Sequence, residues 1–481
     1  MLQFDNYIGG QMVPPISGNY LAVYQPATGE QYAQAARSDE RDIAAAVIAA
    51  QAAQVQWANT HADTRARLLL RIADLIEEKL TQLAAAETKD SGKPLWLSAE
   101  VEIPRAAANF RFFATALLHT ATETHYTEGT NALNYTLRRP LGVVTCISPW
   151  NLPLYLFTWK IAPALATGNC VIAKPSEITP YTAYLLGEIA NEAGLPPGVL
   201  NIIHGYGHEA GKAAVCHPAV KAISFTGSTR AGRDIAATAA PMFKKMSLEL
   251  GGKNPNIIFA DCDFEAMLST TMRSSFNNQG QICLCGSRIL VERSLYDRFL
   301  TEFVARTQAL SVGDPLLPTT RQGAVVSEAH QQKILDCIAL AQAEGGTIVC
   351  GGYPIQPEGD LRGGWYVAPT IITGLPPNCR TNQEEIFGPV VTVAPFDTDD
   401  EALQIANSTE YGLSATIWTS HLQRAHRLAD QLQCGIVWVN CWLLRDLRTP
   451  FGGVKNSGVG REGGLEAMRF FTEPKNVCLQ L

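Results

Sequence analysis

The N-terminal part of the chain shows the spacing of apolar side chains that is typical of packed helices. Ile43 to Ala58 is rich in alanine but is interrupted by glutamines. This indicates an amphipathic helix and not a membrane span, which needs roughly 18 apolar residues. A further helix is predicted to begin near Asp63-Thr64, which can cap it, and to end before Gly92. Its apolar stripe consists of Leu68, Ile72, Leu75, Ile76 and Leu83.

From Leu141 onward the pattern changes to short β-rich runs separated by segments of helical length. Such alternation predicts parallel sheets with crossover helices between the strands. The predicted strands of a first block cover residues 143–147, 170–173, 199–203 and 222–225. Those of a second block, which starts after Gly251-Gly252, cover residues 256–259, 288–291, 415–418 and 436–439. The chain is therefore expected to contain two α/β domains.

Two segments outside these blocks are candidates for an exposed sheet edge. Leu133, Tyr135 and Leu137 alternate with polar residues, and residues 476–481 could form another strand. Since unpaired edges readily pair with another chain, both segments are predicted to form an edge that contacts a second subunit.

Length and composition narrow the class of protein. A chain of 481 residues is too long for one compact core, and its length allows roughly three domains. Its 46% hydrophobic and 17% charged residues exclude disorder, and its net charge of -7 argues against nucleic acid or anionic membrane as partner. The first residues lack the features of a signal peptide, and the twelve cysteines are irregularly spaced. We therefore expect free thiols and a cytoplasmic location.

A candidate nucleophile is Cys283, at the end of Gly280-Gln281-Ile282-Cys283 and on a predicted loop. An ordinary thiol is only a few per cent ionised at neutral pH, so a nucleophile needs a nearby base or a positive field. Taken alone, Cys283 would be interpreted as a buried, inert cysteine. Cys285 raises a metal site as another alternative, but no second pair stands at zinc-site spacing, so no metal is predicted.

Two further side chains have the chemistry to assist such a nucleophile. Glu249 lies between leucines and before two glycines, and apolar neighbours can raise the pKa of a glutamate so that it suits proton transfer. Asn151 stands between Pro149 and Pro153, a rigid setting for a donor to an oxyanion. Taken singly, they could also be an exposed glutamate at the end of a helix and a turn asparagine.

Together these segments resemble the aldehyde dehydrogenase superfamily, from about Asn6 to the C-terminus. The resemblance rests on seven motifs in the family's order: Pro149-Trp150-Asn151, Lys174-Pro175-Ser176-Glu177, Phe225-Thr226-Gly227-Ser228, Glu249-Leu250-Gly251-Gly252, Gly280-Gln281-Ile282-Cys283, Glu385-Ile386-Phe387-Gly388-Pro389 and Pro450-Phe451-Gly452-Gly453.

That resemblance implies a catalytic set and a fold. Cys283 would be the nucleophile and Glu249 the general base that activates water against a thioester, while Asn151 and the Cys283 N–H would form the oxyanion hole. The implied α/β fold has two doubly wound parallel-sheet domains and a small β oligomerisation element of a homodimer or homotetramer. Residues 1–120 and 141–250 would form the NAD-binding domain, 251–440 the catalytic domain, and 121–140 with 466–481 the oligomerisation element.

The resemblance also implies NAD as cofactor. Lys174 and Glu177 would hold the adenosine ribose, Ser228 the pyrophosphate and Glu385 the nicotinamide ribose. A carboxylate at Glu177 would repel a 2′-phosphate and so favour NAD over NADP. The full implied set is Trp150, Lys174, Glu177, Phe225, Gly227, Ser228, Glu385 and Phe387.

Within the superfamily the chain resembles in particular the 2-aminomuconate and 2-hydroxymuconate 6-semialdehyde dehydrogenases of aromatic-compound and tryptophan-type catabolism. The segments that carry this likeness are 103–105, 109–114, 148–156, 282–285 and 440–446. These substrates carry a carboxylate far from the aldehyde, and arginine suits its bidentate capture. Arg105 and Arg445 are our candidates for that carboxylate, with Arg111 interpreted as mainly structural and Arg448 as a weaker choice.

Other functions remain open at this level. An uncharged or cationic aldehyde, such as retinal, betaine aldehyde or an aliphatic aldehyde, would leave both arginines without a function. A coenzyme-A-acylating enzyme would not need Glu249, and a non-catalytic structural protein would not need Cys283, Glu249 and Asn151 together. The sequence does not separate a 2-amino from a 2-hydroxy substituent.

Overall fold

The computed structural model describes residues 1–481, and its first large sheet has eight strands. In spatial order these are Gly458–Val459, Lys245–Glu249, Val220–Thr226, Val143–Ile147, Cys170–Lys174, Leu200–Ile202, Asn6–Ile8 and Gln11–Val13. The five central strands are parallel. Strand order reverses at Val143–Ile147, so the sheet is doubly wound. A crevice for a ligand is expected at the carboxyl ends beside that reversal.

The second large sheet has seven strands and the same α/β construction. In spatial order these are Thr347–Cys350, Thr370–Thr373, Val390–Phe396, Arg288–Glu292, Pro255–Ile258, Ser414–Trp418 and Ile436–Val439. All neighbours are parallel except the first pair. The two predicted blocks of strands are thus confirmed, with boundaries that shift by one or two residues.

A small antiparallel sheet consists of Thr124–Thr127, Ala132–Pro140 and Thr472–Gln480. The two predicted outlying strands therefore pair with each other, and Thr472–Gln480 and Thr124–Thr127 are left as edges. The sequence did not predict an N-terminal sheet of Leu2–Phe4, Tyr20–Gln25 and Glu30–Ala36. Two small antiparallel sheets pair Pro354–Ile355 with Tyr366–Val367 and Tyr411–Gly412 with Val454–Lys455.

Sixteen α-helices cover the sheets and connect their strands. They are Glu40–Asn59, Ala62–Glu78, Leu80–Ser91, Leu95–Leu97, Ile103–Leu118, Pro153–Ala166, Tyr181–Glu192, Lys212–Cys216, Thr229–Ala239, Phe264–Phe276, Arg293–Gln308, Glu328–Ala343, Arg380–Gln383, Asp399–Asn407, Leu422–Gln431 and Gly464–Phe470. Ser98–Glu102 and Gly207–Gly211 are π-helical. None of the helices has the length and apolarity to cross a membrane, and all twelve cysteines are free.

The helix predicted from Asp63-Thr64 to Gly92 is in fact two helices. The first begins at Ala62 after His61, whose side chain makes no capping bond, and a break at Lys79 separates it from the second. Gly92 does end the pair, in a left-handed conformation with φ 74°. The predicted apolar stripe, apart from the half-buried Leu68, lies in the core.

Candidate active site

Cys283 lies half-buried in the loop between the helix Phe264–Phe276 and the strand Arg288–Glu292. The residues that precede Cys283 in this loop have left-handed backbone: Asn278, Gln279 and Gly280 have φ of 52°, 55° and 67°. A side chain on Gly280 would collide with the backbone of the loop at Gly388, since a Cβ there would lie 2.1 Å from its carbonyl oxygen. Glycine is therefore required for the chain to reach the interior.

Side-chain donors fix the backbone around the thiol. Asn254 Nδ2 donates to the carbonyl oxygens of Cys283 at 2.7 Å and Cys285 at 2.9 Å. Trp442 Nε1 donates to the carbonyl of Leu284 at 2.9 Å. Three consecutive carbonyls are thus satisfied, so the thiol is presented from a rigid loop.

The structure places Asn151 against this loop, at the carboxyl end of Val143–Ile147. Its side-chain Nδ2 donates to the backbone carbonyl of Gln281 at 2.9 Å. The backbone carbonyl of Asn151 accepts from Lys93 Nζ at 3.1 Å and from Asn278 Nδ2 at 3.0 Å. A carboxamide carries two N–H donors, and the loop uses one of them. The second is free for a ligand oxygen, which is the requirement for an oxyanion donor.

Glu249 ends the strand Lys245–Glu249, is 3% exposed, and has no hydrogen-bond partner on either carboxyl oxygen. Burial raises its pKa well above the usual range. The neighbouring Glu462 carboxylate acts in the same direction, and the cations of Lys160 and Arg445 oppose it. A raised pKa favours the protonated form, and the group acts as a base once it has lost that proton.

The thiol of Cys283 is also protonated at rest. Burial raises its pKa, the carboxylates of Glu385 and Glu249 add to the shift, and the opposing effect of Arg445 is smaller. The sulfur must therefore lose its proton as it attacks.

A buried charge cluster that the sequence did not reveal lies beside Glu249. Lys160 Nζ contacts Glu462 Oε1 at 2.5 Å, and Ser224 Oγ donates to the same oxygen at 3.1 Å. Glu462 stands 302 residues from Lys160 in the chain. Local pattern carries no signal for a pair so distant. Only the return of the chain to Gly458–Val459, which pairs with the strand of Glu249, brings Glu462 to the cavity.

The cavity that contains Cys283 has a volume of about 270 Å³. Its lining includes three carboxyl groups, Glu102, Glu249 and Glu462, and three arginines, Arg105, Arg273 and Arg445. Most of its other walls are apolar. This is the usual construction of a small-molecule site, in which a few polar groups orient a ligand in an apolar cleft.

Arg105 and Arg445 both contact Tyr155 and form no ion pair. The guanidinium carbon of Arg105 lies 5.5 Å from the centre of the Tyr155 ring, and that of Arg445 lies 5.6 Å from it. Arg445 also donates to the Tyr155 hydroxyl and packs over Trp159 and Phe451. These rings hold the guanidinium in place by cation–π contact while its charge stays unneutralised.

The neighbouring arginines lie outside the cavity. Arg111 pairs with Asp74 and Glu77 on the surface, and Arg448 pairs with Asp446. The geometry therefore separates Arg105 from Arg111, and Arg445 from Arg448.

The crevice of the first sheet has the features of a phosphate site. Ser228 caps the helix Thr229–Ala239, where its Oγ accepts from the N–H of Ala231 at 3.2 Å. The free N–H groups of a helix N-terminus favour an anion such as a pyrophosphate. A Cβ on Gly227 would lie 2.4 Å from the Phe225 ring, so only glycine allows this close turn.

Other groups at the same edge fit a polar ligand. Lys174 Nζ contacts Glu177 Oε2 at 3.3 Å, so the two candidate ribose ligands lie together. The hydroxyls of Ser148, Thr226 and Thr229 are buried there without partners. Unpaired buried hydroxyls are rare and indicate that something else satisfies them.

The remaining candidate residues lie where the crevice meets the thiol. Glu385 Oε1 accepts from the N–H of Gly252 at 2.9 Å. Phe387, with φ 62°, packs edge-on against Trp150 at 5.3 Å. His330, which the sequence did not reveal, bonds the Phe387 carbonyl through Nε2 at 2.7 Å and contacts the Trp150 ring. A carbonyl can only accept, so Nε2 carries the proton.

Comparison with known proteins agrees with this geometry. Residues 13–477 match the aldehyde dehydrogenase family. The chain is 50% identical to a 2-aminomuconic semialdehyde dehydrogenase of Danio rerio, over 100% of this chain and 98% of that protein. It is 46% identical to a 2-hydroxymuconic semialdehyde dehydrogenase of Pseudomonas sp. (strain CF600), over the whole of both.

Among solved structures, an indole-3-acetaldehyde dehydrogenase of P. syringae in complex with NAD+ superposes with a TM-score of 0.97 at 40% identity. The match covers 100% of this chain and 97% of that one. The chain belongs to the aldehyde dehydrogenase family.

Proposed function

We propose that this enzyme oxidises a muconic semialdehyde, with a 2-amino or 2-hydroxy substituent, to the dicarboxylate with NAD. The observation that carries the proposal is the pair of unneutralised guanidiniums, Arg105 and Arg445, in the cavity of Cys283. Together they suit a substrate carboxylate and repel a cation such as betaine aldehyde. The named activities of the relatives support the same substrate class, and with it a role in aromatic-compound or tryptophan-type catabolism.

The crevice residues support NAD as the cofactor. Lys174 and Glu177 would hold the adenosine ribose, the helix end at Ser228 the pyrophosphate, and Glu385 the nicotinamide ribose. Trp150 and Phe387 would flank the nicotinamide, and Phe225 and Gly227 would shape the turn beneath the phosphates. A 2′-phosphate would be repelled by the Glu177 carboxylate. When bound, NAD+ supplies the hydride acceptor.

The first half of the mechanism makes a thioester on Cys283. The sulfur attacks the aldehyde carbon as its proton is released to solvent. Negative charge develops on the former carbonyl oxygen, where the free N–H of Asn151 and the backbone N–H of Cys283 stabilise it. Loss of hydride from the same carbon leaves the acyl group on sulfur.

The second half hydrolyses that thioester. Glu249 in its ionised form removes a proton from water as the water oxygen attacks the acyl carbon. Asn151 stabilises the charge on the oxygen a second time. Collapse expels the Cys283 thiolate and leaves the carboxylic acid, which ionises, and Glu249 returns its proton to the sulfur. Arg105 and Arg445 hold the far carboxylate throughout, so the reacting carbon stays in line with sulfur.

Each part of the chain has a separate proposed role. Residues 1–120 and 141–250 would bind NAD, and residues 251–440 would carry the nucleophile. Residues 121–140 and 466–481 would join subunits into a homodimer or homotetramer, since the small sheet leaves two unpaired edges.

A steady-state comparison tests the function. We expect the wild type to use 2-hydroxymuconic 6-semialdehyde with NAD at a higher kcat/KM than hexanal, and to prefer NAD to NADP. A wild type that prefers hexanal would contradict the carboxylate site. Equal use of NAD and NADP would contradict the proposed contact between Glu177 and the adenosine ribose.

The charge cluster beside Glu249 predicts a pH shift. Since Glu249 works as a base in its ionised form, kcat should rise with pH through the raised pKa of Glu249. Glu462→Gln removes the negative charge that adds to this raised pKa and leaves Lys160 to oppose it. The rising limb of kcat should then move to lower pH. The control is Glu466→Gln, which changes a surface glutamate four residues further along the chain that pairs with Arg469. If the rising limb of Glu462→Gln stays in place or moves to higher pH, Glu462 does not raise the pKa of Glu249.

A further inference from the structure

Glu102 is a carboxyl group of the substrate cavity that the mechanism above does not use. It is the last residue of the π-helical segment Ser98–Glu102 and directly precedes the helix Ile103–Leu118. Glu102 and Arg105 are three residues apart, so they share a helical face, and both line the cavity of Cys283. Single π-helical turns frequently occur at functional sites.

The carboxyl group of Glu102 is buried and unsatisfied. Glu102 is 3% exposed, and its Oε2 has no hydrogen-bond partner. Lys93, the cation that could neutralise it, contacts Glu87 and the carbonyl of Asn151 instead. Burial raises the pKa of Glu102, whereas the nearby charges of Lys93 and Arg105 lower it and so favour the ionised, accepting form without an ion pair.

An unpaired buried acceptor is costly and is usually satisfied by something. In a cavity that binds a carboxylate, a second carboxyl group next to Arg105 would by itself repel the ligand. The conflict disappears if the ligand carries an O–H or N–H donor close to its carboxylate. The proposed substrates have such a donor on the carbon next to the carboxylate.

We propose that Glu102 is a specificity residue that accepts a hydrogen bond from the hydroxyl or amino group on the carbon next to the substrate carboxylate. The inference rests on the proposed function and deepens it. Glu102 then selects the enol or enamine form, whose group donates, over the 2-oxo form, whose oxygen can only accept. It also disfavours semialdehydes with no group at that carbon.

Three aldehydes separate the contribution of the substrate carboxylate from that of the neighbouring donor group. Hexanal has neither group, 6-oxohexanoate has the carboxylate alone, and 2-hydroxymuconic 6-semialdehyde has both the carboxylate and the donor. For each aldehyde, kcat/KM of a variant is divided by that of the wild type, which cancels the intrinsic reactivity of the substrate. The variants are Glu102→Leu, Glu102→Gln and the control Glu100→Gln, which changes an exposed glutamate of the same π-helical segment.

We expect Glu102→Leu to lower kcat/KM for the 2-hydroxy substrate by about tenfold to hundredfold, the usual effect of a hydrogen bond to a charged group. Use of 6-oxohexanoate should fall little or even rise, because a negative charge near the carboxylate is removed. Glu102→Gln keeps an acceptor and should show the same selectivity at about threefold to tenfold. Should the leucine variant fail to fold, the glutamine variant is judged by the same ratio. Glu100→Gln should change nothing.

Equal losses on 6-oxohexanoate and the 2-hydroxy substrate would overturn the proposal, because Glu102 would then act by positioning Arg105. Absence of a loss in both variants would overturn it as well. Failure of the proposed function is recognised separately, in the wild type. If the wild type prefers hexanal to 6-oxohexanoate, the carboxylate site itself is wrong, and the Glu102 proposal falls with it.

Discussion

Cys283→Ala is expected to abolish oxidation of every aldehyde, with a loss in kcat of about 10⁴-fold or more, as for other enzymes that lose their nucleophile. No other sulfur can take its place, because the carbonyls of Cys283 and Cys285 are both bonded to Asn254 and fix the position of the loop. NAD binding should persist, since the crevice residues do not depend on the thiol. Oxidation is measured by NADH formation, and NAD binding is measured by titration with the cofactor.

The control for this experiment is Cys285→Ala. Cys285 is buried, two residues from the nucleophile on the same loop, so general damage to the loop would affect both variants. We expect Cys285→Ala to retain most activity. Loss of activity in Cys285→Ala alone, or full activity in Cys283→Ala, would contradict the assignment of the nucleophile.

Arg445→Ala and Arg105→Ala should each lower kcat/KM for 2-hydroxymuconic 6-semialdehyde by about 30-fold or more. Removing one partner of a desolvated charge pair costs roughly 2–5 kcal/mol, and about 1.4 kcal/mol corresponds to tenfold. Hexanal should lose much less, since it has no carboxylate. The effects of the two changes should add incompletely, because both side chains hold the same group.

The chain provides matched controls for both arginines. Arg448→Ala removes an arginine from the segment of Arg445, and Arg111→Ala removes one from the helix of Arg105. Each control arginine is ion-paired with surface carboxylates, so both variants should behave as wild type on both aldehydes. Equal losses of Arg445→Ala on hexanal and on the semialdehyde would contradict carboxylate binding and favour an uncharged aldehyde.

Eight strands of the two large sheets were predicted, because a buried parallel strand is a short run of β-branched and apolar residues. Other parallel strands of these sheets, Lys245–Glu249, Thr370–Thr373 and Val390–Phe396, were missed. Val143–Ile147 was predicted to the residue. The N-terminal strands Leu2–Phe4 and Glu30–Ala36 carry glutamine and alanine instead and gave no such signal. The break at Lys79 was also invisible, since neither glycine nor proline marks it and only packing sets it.

The candidate site was predictable where its residues stand in motifs and not where the fold alone assembles them. Cys283, Glu249 and Asn151 each stand in a short characteristic sequence. Glu462 and Glu102 stand in none, and their meaning comes from burial beside other charges. The resemblance to relatives favoured Arg105 over Arg111 on one helix, and of the two only Arg105 lines the cavity of Cys283.

The central claim is that an aldehyde with a distant carboxylate becomes an acyl group on Cys283 before water releases it. Its most direct test is the mass of the Cys283 peptide after Glu249→Ala has reacted with NAD and 2-hydroxymuconic 6-semialdehyde. Without the base, hydrolysis should stall, so we expect a burst of NADH of about one per site and one acyl group on Cys283. Turnover at the wild-type rate with no adduct, or an adduct on Cys285, would contradict the account.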